Sequence, residues 1–486
     1  MRKLSEILSE IKVTKVIGNP DVPVYKIYID SRKITNNSIF VAIRGIQTDG
    51  HNFIGDVIKA GAKTIICEKI PSKIVADVTY VQVENTSVLL GPIADSYYEH
   101  PSSKLKVIGI TGTNGKTTIA TLLYKLFRRL GYRTGLISTV VNYADSKSFE
   151  STHTTPDAIS INKLLNKMVE AGCKYCFMEI SSHSIVQNRI NGITFAGGIF
   201  TNLTHDHLDY HNTFEEYLTA KKKFFDDLPA TSFAITNADD KNGKIMLQNT
   251  KAKTFTYSLH SLSDYNATII ESHINGMLLK INSVEMWTRL IGKFNASNIL
   301  AIYSTAILLN ADKEKVMLEL SDLTSVDGRF EYFTSPKQYT AIVDYAHTPD
   351  ALLNVLQTMK QLVKTNGKII TVVGAGGNRD KTKRPVMAKV SAELSDKVIL
   401  TSDNPRNEKP EDIICDMKQG LDKELSKKVL TIINRREAIR TACELATKDD
   451  MILVAGKGHE TYQEVNGVKS HFDDREIIKE IFNDLM

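Results

Sequence analysis

The sequence lacks long apolar runs and is poor in cysteine. None of its 486 residues belongs to an apolar stretch of the roughly 18 residues that a membrane helix requires. Residues 1–6 lead into a polar amphipathic pattern without the apolar segment of a secretory signal. The five cysteines are an odd number spread along the chain, which argues against a disulfide framework. These absences favour a globular protein of the cytoplasm.

The sequence also lacks a large excess of charge of either sign. The chain has 61 Lys and Arg against 56 Asp and Glu, a net charge of +5. No basic cluster is interleaved with aromatic residues, so we expect no nucleic-acid partner. A mild positive charge suits anionic small molecules, and nothing in the sequence demands more than a monomer. With 42% hydrophobic and 24% charged residues, the composition excludes disordered and collagen-like classes.

Breaker-rich stretches divide the chain into three predicted domains, residues 1–101, 102–334 and 335–486. The first mixes short strands, such as 24–29 and 39–43, with a helix near 54–60. The other two alternate strands with helices, which indicates largely parallel sheets. The strands predicted there are 105–110, 134–138, 175–180, 198–201, 340–343, 368–373, 397–400 and 451–454. The sequence therefore predicts an α/β fold in which a ligand cleft lies between the last two domains.

A glycine-rich turn between a strand and a helix is the clearest motif. It comprises Gly112, Thr113, Asn114, Gly115, Lys116, Thr117 and Thr118. Backbone N–H groups of such a turn can bind phosphate oxygens, and the N-terminus of the following helix adds partial positive charge. Lys116 would reach the β- and γ-phosphates of ATP, and the Thr117 hydroxyl would ligate Mg²⁺. The motif departs from the general P-loop at Ile110, where a glycine is usual.

Acidic and histidine side chains follow two neighbouring strands. Glu179 ends an apolar strand, which places its carboxylate beside the P-loop as a Mg²⁺ ligand. Residues 202–211 are dense in His and Asp and favour a metal or phosphate site. As alternatives, His205 and His211 are solvated and Asp209 caps the next helix.

Polar loops also follow three strands of the last region, at residues 344–349, 403–406 and 456–460. Open α/β sheets bind ligands at such strand ends. For residues 403–406 alone, a turn with a helix cap remains an alternative. The glycines of residues 374–377 lack the third glycine of a dinucleotide fingerprint, and no acidic residue follows in the expected context, so we expect no nicotinamide site.

Together these motifs resemble the Mur ligase family. Residues 111–118, 153–157, 179–183 and 403–406 occur in the family's order, and the resemblance runs from residues 30–32 to residues 456–460. It implies a small mixed α/β N-terminal domain for the UDP part of the substrate, a central P-loop ATPase domain and a Rossmann-like C-terminal domain. It also implies a reaction of peptidoglycan precursor synthesis: ATP phosphorylates the D-glutamate γ-carboxylate of UDP-MurNAc-L-Ala-D-Glu, and a diamino acid attacks the acyl phosphate. Folate polyglutamate synthases share this chemistry but lack the diamino-acid motif.

The resemblance assigns roles to single residues. Ser31 would contact the uridine nucleotide, and the sugar–peptide part would contact Thr154, Thr155, Ser181, Gln187 and Arg189. The ATP-bound Mg²⁺ would be held by Thr117 and Glu179, and a second Mg²⁺ by His207. Lys221 matches a lysine that the family carbamylates, which turns a cation into a long carboxylate that can meet the metal; a solvated basic face formed with Lys222 and Lys223 is the alternative. Lys116, Lys221 and His207 are thus the catalytic candidates, and the remaining nucleotide contacts are Asn295, Asn298, Arg329 and Asp344.

The resemblance also predicts the added amino acid. Asp403, Asn404, Pro405 and Arg406 resemble the motif of members that add meso-diaminopimelate, and Arg379, Gly456 and Glu460 complete the pocket. A guanidinium clamps the extra carboxylate of diaminopimelate with two parallel hydrogen bonds, whereas lysine has no such group. Glu460 would meet the distal ammonium. An L-lysine-adding ligase and a P-loop nucleotide switch are the alternatives. Asn378 and Thr382 stand where Asp and Gly are expected.

Overall fold

Three large sheets and two two-stranded sheets are formed by the residues that the structure describes. The computed structural model describes residues 2–45, 48–151, 153–204, 206, 208–211 and 213–485, and all of their side chains except those of residues 208 and 209. None of the helices in these ranges combines the length and the apolar character of a membrane span. The predicted three-domain α/β architecture is confirmed, while the boundaries after residues 101 and 334 stay predictions.

The N-terminal region contains a five-stranded sheet in the order β2-β7-β6-β5-β4, with only β2 antiparallel to its neighbour. The strands of the N-terminal region are β1 Arg2–Lys3, β2 Lys15–Ile17, β3 Pro23–Val24, β4 Lys26–Tyr28, β5 Ser38–Val41, β6 Thr64–Cys67 and β7 Thr79–Gln82. Its helices are α1 Leu4–Leu8, α2 Ile54–Lys59 and α3 Thr86–Tyr97. The single strand predicted at residues 24–29 was wrong: β3 pairs with β1, and β4 pairs with β5. Val24 and Ile27 are both buried, and a spacing of three residues cannot put both on one face of one strand.

The central region is built on an eleven-stranded sheet in the order β11-β10-β9-β12-β8-β13-β14-β15-β16-β17-β18. Its strands are β8 Lys106–Thr111, β9 Thr134–Ile137, β10 Val141–Ala144, β11 Lys147–Glu150, β12 Tyr175–Glu179, β13 Phe195–Phe200, β14 Phe233–Asn237, β15 Lys253–Ser258, β16 Tyr265–His273, β17 Gly276–Ile281 and β18 Val284–Thr288. Its helices are α4 Lys116–Arg129, α5 Ala158–Glu170, α6 Ser182–Val186, α7 Leu208–His211, α8 Phe214–Asp226, α9 Gly243–Met246, α10 Lys293–Leu308 and α11 Lys313–Ser321. Seven neighbouring strands of the sheet, β9-β12-β8-β13-β14-β15-β16, are parallel to one another, which confirms a largely parallel sheet.

The C-terminal region has a six-stranded sheet in the order β19-β20-β24-β21-β22-β23, parallel except for β19. Its strands are β19 Glu331–Thr334, β20 Thr340–Asp344, β21 Ile369–Val373, β22 Lys397–Leu400, β23 Val429–Thr431 and β24 Met451–Ala455, with a separate hairpin of β25 Tyr462–Val465 and β26 Val468–His471. Its helices are α12 Pro349–Leu362, α13 Lys383–Leu394, α14 Pro410–Lys418, α15 Lys423–Ser426, α16 Arg435–Leu445 and α17 Asp474–Asp484.

Strand register brings the polar loops of both sheets together. Glu179 at the end of β12 is paired with Ile110 of β8, so its carboxylate lies beside the P-loop. In the C-terminal sheet Asp344 and Val373 are both paired with Ala455, so the loops after β20, β21 and β24 emerge at one edge. The two edges face each other, because side chains of both regions line the same cavities.

Candidate functional site

Two adjoining cavities lie between the central and C-terminal regions. We call the first the P-loop cavity, since residues 113–118 line it, and the second the arginine cavity, since Arg189, Arg379 and Arg406 line it. Both are lined by Thr154, Asp206, Tyr345 and His347. The shared lining makes them two parts of one continuous cleft.

The P-loop is fixed by the strand beside it. Its backbone N–H at Thr113 donates to the Asn202 carbonyl at 2.8 Å, and the N–H of Asn114 donates to the Asn202 side chain at 2.9 Å. Gly112 has a φ of +145°, and a Cβ there would lie 1.9 Å from the Thr201 hydroxyl, so only glycine fits. Lys116 Nζ donates to the carbonyls of Gly112 and Thr113 at 2.9 and 2.8 Å. Its ammonium therefore sits over the loop that was predicted to bind phosphates.

Glu179 and Thr117 are neighbouring residues in the P-loop cavity whose side-chain oxygens are suited to bind Mg²⁺. The Thr117 hydroxyl donates to Glu179 Oε2 at 2.9 Å, and the backbone N–H of Thr139 donates to Oε1 at 2.8 Å. Arg329 Nη2 donates to the same Thr117 hydroxyl at 3.1 Å. In the part of the chain that the structure describes, no group of three or more His, Cys, Asp or Glu side chains could hold a metal alone. These oxygens fit Mg²⁺ whose other ligands come from a bound phosphate or water.

Lys221 is almost completely buried on α8, with 1% of its surface exposed. Its Nζ donates to the Gly112 carbonyl at 3.0 Å and lies 4.7 Å from the centre of the Tyr217 ring. Burial, together with the like charge of Lys116, lowers the pKa of Lys221 well below its usual value. The alternative of a solvated basic face is wrong for this residue. It holds for Lys223, which is exposed and pairs with Asp227, whereas Lys222 is largely buried and pairs with Asp226.

The remaining predicted nucleotide contacts also line the P-loop cavity. Asn295 and Asn298 of α10 both line it, and Asn298 Nδ2 donates to Asn295 Oδ1 at 3.1 Å. Arg329 stacks on the Tyr345 ring, 4.4 Å from its centre. Asp344 accepts from the backbone N–H groups of residues 330 and 346 at 2.7 and 2.8 Å, and burial raises its pKa. These four predicted residues therefore line the cavity from both regions.

Four of the residues predicted to bind the sugar–peptide part line the arginine cavity from the central region: Thr154, Thr155, Ser181 and Arg189. Gln187 lies outside the lining, but its Oε1 accepts from Arg189 Nε and Nη2 at 2.9 and 2.6 Å. It therefore orients a guanidinium that does line the cavity. Ser31 lies in a short 3₁₀ turn of the N-terminal region and lines neither cavity.

The C-terminal wall of the arginine cavity is formed by the loops after β21, β22 and β24. Its predicted members are Arg379, Asp403, Asn404, Arg406, Gly456 and Glu460. Arg406 Nη1 donates to the Gly377 carbonyl at 2.8 Å, and Asn404 Nδ2 donates to Glu460 Oε2 at 2.7 Å. Pro405 packs against the glycine turn, since a Cβ at Gly377 would lie 1.9 Å from the Pro405 carbonyl. Burial, with the nearby charge of Asp403, raises the pKa of Glu460.

The histidine-rich segment is described only in part. His205 and His207 lie outside the described residues, as does the side chain of Asp209, so their predicted roles stay predictions. Asp206 is buried and lines both cavities. His211 is buried and its Nε2 lies 2.8 Å from the Ser182 hydroxyl, so the solvated alternative is wrong for His211.

Sequence reasoning missed residues that support the arginine cavity from behind. Arg384 is fully buried, and its guanidinium donates to both oxygens of Glu408, each at 2.9 Å, and to Asp416 at 2.8 Å. Glu408 also accepts from the backbone N–H of Asn378. Hydrogen bonds from Arg384 hold the pKa of Glu408 at about 2. The carboxylate thus ties the Arg379 loop to the Arg406 loop, a link between distant positions that leaves no local pattern.

His347 is a second residue without a predicted role. It lines both cavities, and its Nδ1 lies 2.8 Å from the Tyr345 carbonyl. Burial lowers the pKa of His347 to about 4, so the ring is neutral at neutral pH. The sequence signal for it was present, because the polar loop of residues 344–349 was expected at the cleft.

Comparisons with known proteins agree with this geometry. The description "Mur ligase middle domain" matches residues 110–306, "Mur ligase, glutamate ligase domain" matches 328–458, and "Mur ligase family, catalytic domain" matches 23–98. A UDP-N-acetylmuramoyl-L-alanyl-D-glutamate--2,6-diaminopimelate ligase of Bacteroides fragilis is 58% identical over 481 residues, 99% of each chain. A ligase of the same name from Cytophaga hutchinsonii is 55% identical over 484 residues, also 99% of each. A solved structure with that name has a TM-score of 0.70 at 32% identity, covering 99% of both chains.

Proposed function

Because this chain belongs to the Mur ligase family, as its motifs predicted, we propose that it joins meso-diaminopimelate to UDP-MurNAc-L-Ala-D-Glu at the expense of ATP. The observation that carries the proposal is the continuous cleft. A carboxylate bound between the P-loop cavity and the arginine cavity can meet ATP on one side and an amino acid on the other. We place the reaction in the cytoplasm, with small-molecule substrates and a monomeric enzyme.

In the first step the γ-carboxylate of D-glutamate attacks the γ-phosphorus of ATP, and ADP leaves. The P-loop N–H groups and Lys116 bind the phosphates, and Arg329 approaches from the C-terminal side. Thr117 and Glu179 would hold Mg²⁺, with carbamylated Lys221 and His207 at a second ion. When bound, Mg²⁺ supplies neutralisation of the charge on the phosphate oxygens.

In the second step the free amine of diaminopimelate attacks the acyl carbon. A C–N bond forms, the C–O bond to phosphate breaks, phosphate leaves with the electron pair, and the amine nitrogen loses its proton. The enzyme contributes orientation, since Arg379 and Arg406 bind the distal carboxylate and Glu460 binds the distal ammonium. Thr154, Thr155, Ser181 and Arg189 would bind the sugar–peptide part, and Ser31 its uridine end.

The first test is phosphate release from ATP with UDP-MurNAc-L-Ala-D-Glu and either meso-diaminopimelate or L-lysine. We expect diaminopimelate to be preferred by about fivefold to about 150-fold in kcat/KM, because a guanidinium left unpaired beside lysine costs about 1–3 kcal/mol. Stimulation by lysine alone would support a ligase of this family but contradict the proposed binding of a substrate carboxylate by Arg406. Stimulation by neither amino acid would favour the alternative of a P-loop nucleotide switch.

Replacing Glu408 by glutamine is expected to raise the KM for diaminopimelate about tenfold with little change in kcat. The substitution removes one of the two carboxylates that bind Arg384 and leaves Asp416, and a lost hydrogen bond to a charged group costs about 1.5–3 kcal/mol. Steady-state kinetics measures the effect. Glu424→Gln is the control, since Glu424 is exposed and pairs with Lys427 on the surface. An unchanged KM in Glu408→Gln would show that the arginine loops hold their positions without it.

A further inference from the structure

Lys457, in the loop after β24, is a buried cation to which the family resemblance gave no role. Its side chain has no exposed surface. Nζ lies 3.1 Å from Asn404 Oδ1 and 3.4 Å from Glu460 Oε2, and it faces the rings of Tyr462 and Phe472 at 5.6 and 5.9 Å. Burying an ammonium is costly unless partners compensate it, so these contacts decide what the residue does.

The contacts of Lys457 fix the orientation of the Asn404 amide. Asn404 Oδ1 accepts from Lys457 Nζ and also from the backbone N–H of Glu464 at 2.9 Å. An amide oxygen has two lone pairs, and both are then used. The Asn404 amide nitrogen is thereby directed to Glu460 Oε2, where it donates at 2.7 Å. A rotated amide would place its N–H groups against the ammonium.

Lys457 also sets the charge of Glu460. Burial and Asp403 raise the pKa of Glu460, whereas Lys457 opposes them with its positive charge and a hydrogen bond. The other ionisable groups that face this carboxylate are Arg435, Tyr345 and Tyr462. Lys457 is the cation in direct contact with the carboxylate, and it therefore favours the ionised form.

We propose that Lys457 is a positioning residue that holds Asn404 and Glu460 ready to receive the ammonium group of the incoming diamino acid. This inference rests on the proposed function. Lys457 points its ammonium at the Asn404 amide and at one oxygen of Glu460, which leaves the other oxygen for the substrate. Without Lys457 the Asn404 oxygen keeps only the N–H of Glu464, so the amide is held less firmly, and Glu460 retains a proton to higher pH.

The test is Lys457→Met, which keeps much of the buried length and removes the charge. We expect the KM for diaminopimelate to rise about 30-fold or more near neutral pH with kcat changed far less, because loss of one partner of a buried charge pair weakens binding strongly. The KM should fall again in part as the pH is raised, because Glu460 ionises at higher pH. The KM for ATP should stay as in the wild type.

The matched control is Lys469→Met. Lys469 lies over the same Tyr462 ring at 4.1 Å but is exposed, so its loss should leave every parameter unchanged. Lys457→Arg, which retains the charge, should keep a KM closer to that of the wild type. An equal rise in KM at all pH values, or a parallel rise in the KM for ATP, would mean a general structural role and overturn the proposal. If diaminopimelate does not stimulate phosphate release by the wild-type enzyme, the proposed function and this inference are both wrong. That result is obtained before any variant is made.

Discussion

Replacing Lys221 by alanine is expected to lower kcat by about 10³-fold, since charge stabilisation of a transferred phosphate is worth several kcal/mol and each 1.4 kcal/mol or so is tenfold in rate. The KM for diaminopimelate should change little, because Lys221 lies on the P-loop side of the cleft, against Gly112. Phosphate release under steady-state conditions measures the first effect. Carbamylation of Lys221 is measured separately, by NMR with ¹³C-labelled bicarbonate. We expect a carbamate carbon signal in the wild type and none in the variant.

The burial of Lys221 explains why this amine can react. Carbon dioxide adds only to a neutral amine, and burial beside Lys116 lowers the pKa of Lys221 well below its usual value, which increases the fraction of neutral amine. A carbamate on Lys221 would carry a negative charge, which would attract the ammonium group of Lys116. We expect this attraction to stabilise the modified side chain.

Lys223→Ala is the matched control, because Lys223 lies two residues further along the same helix and forms an exposed ion pair with Asp227. We expect its activity to stay within about twofold of the wild type, since exposed ion pairs contribute little. A small carboxylic acid such as acetate should restore part of the activity of Lys221→Ala by filling the space with a negative charge. Full wild-type activity after removal of bicarbonate, with no carbamate signal, would contradict the carbamate hypothesis.

The P-loop and its neighbours were predictable because their signal is local. The sequence predicted a strand at 105–110 and a helix after the glycine-rich turn, and the structure has Lys106–Thr111 and Lys116–Arg129. A buried strand, a glycine turn and an amphipathic helix occupy consecutive residues, so neighbouring residues specify each one. The placement of Glu179 followed from the parallel sheet, since carboxyl ends of parallel strands meet at one edge.

Other features depend on residues far apart in the chain. Three consecutive lysines on α8 look alike in sequence, and only packing of the helix against the sheet buries Lys221 and exposes Lys223. Arg384 and Glu408 are 24 residues apart, and Lys457 and Asn404 are 53 apart. Such pairs require the fold to be known, because no periodicity or turn pattern links their positions.

Replacing Glu179 by glutamine is expected to lower kcat by about 10²–10³-fold and to raise the Mg²⁺ concentration for half-maximal activity about 10–100-fold. Glu179 is fully buried, and its two oxygens accept from Thr117 and from the backbone and hydroxyl of Thr139. An amide has one accepting oxygen, so its NH₂ group would face one of these donors. The charge that would attract the metal is lost at the same time. Phosphate release as a function of Mg²⁺ concentration measures both effects.

Thr139→Val distinguishes the loss of a hydrogen bond to Glu179 from the loss of its negative charge. It removes the hydroxyl that donates to Glu179 Oε2 at 3.2 Å but leaves the carboxylate charge and the backbone donor in place. We expect it to lower kcat less than about tenfold and to leave the Mg²⁺ dependence nearly unchanged, because one neutral hydrogen bond contributes about 0.5–1.5 kcal/mol. If Glu179→Gln loses activity with a wild-type Mg²⁺ dependence, the carboxylate serves the hydrogen-bond network and not the metal. Equal thermal unfolding midpoints of both variants would confirm that the comparison is between folded enzymes, so that a difference in Mg²⁺ dependence belongs to the carboxylate charge.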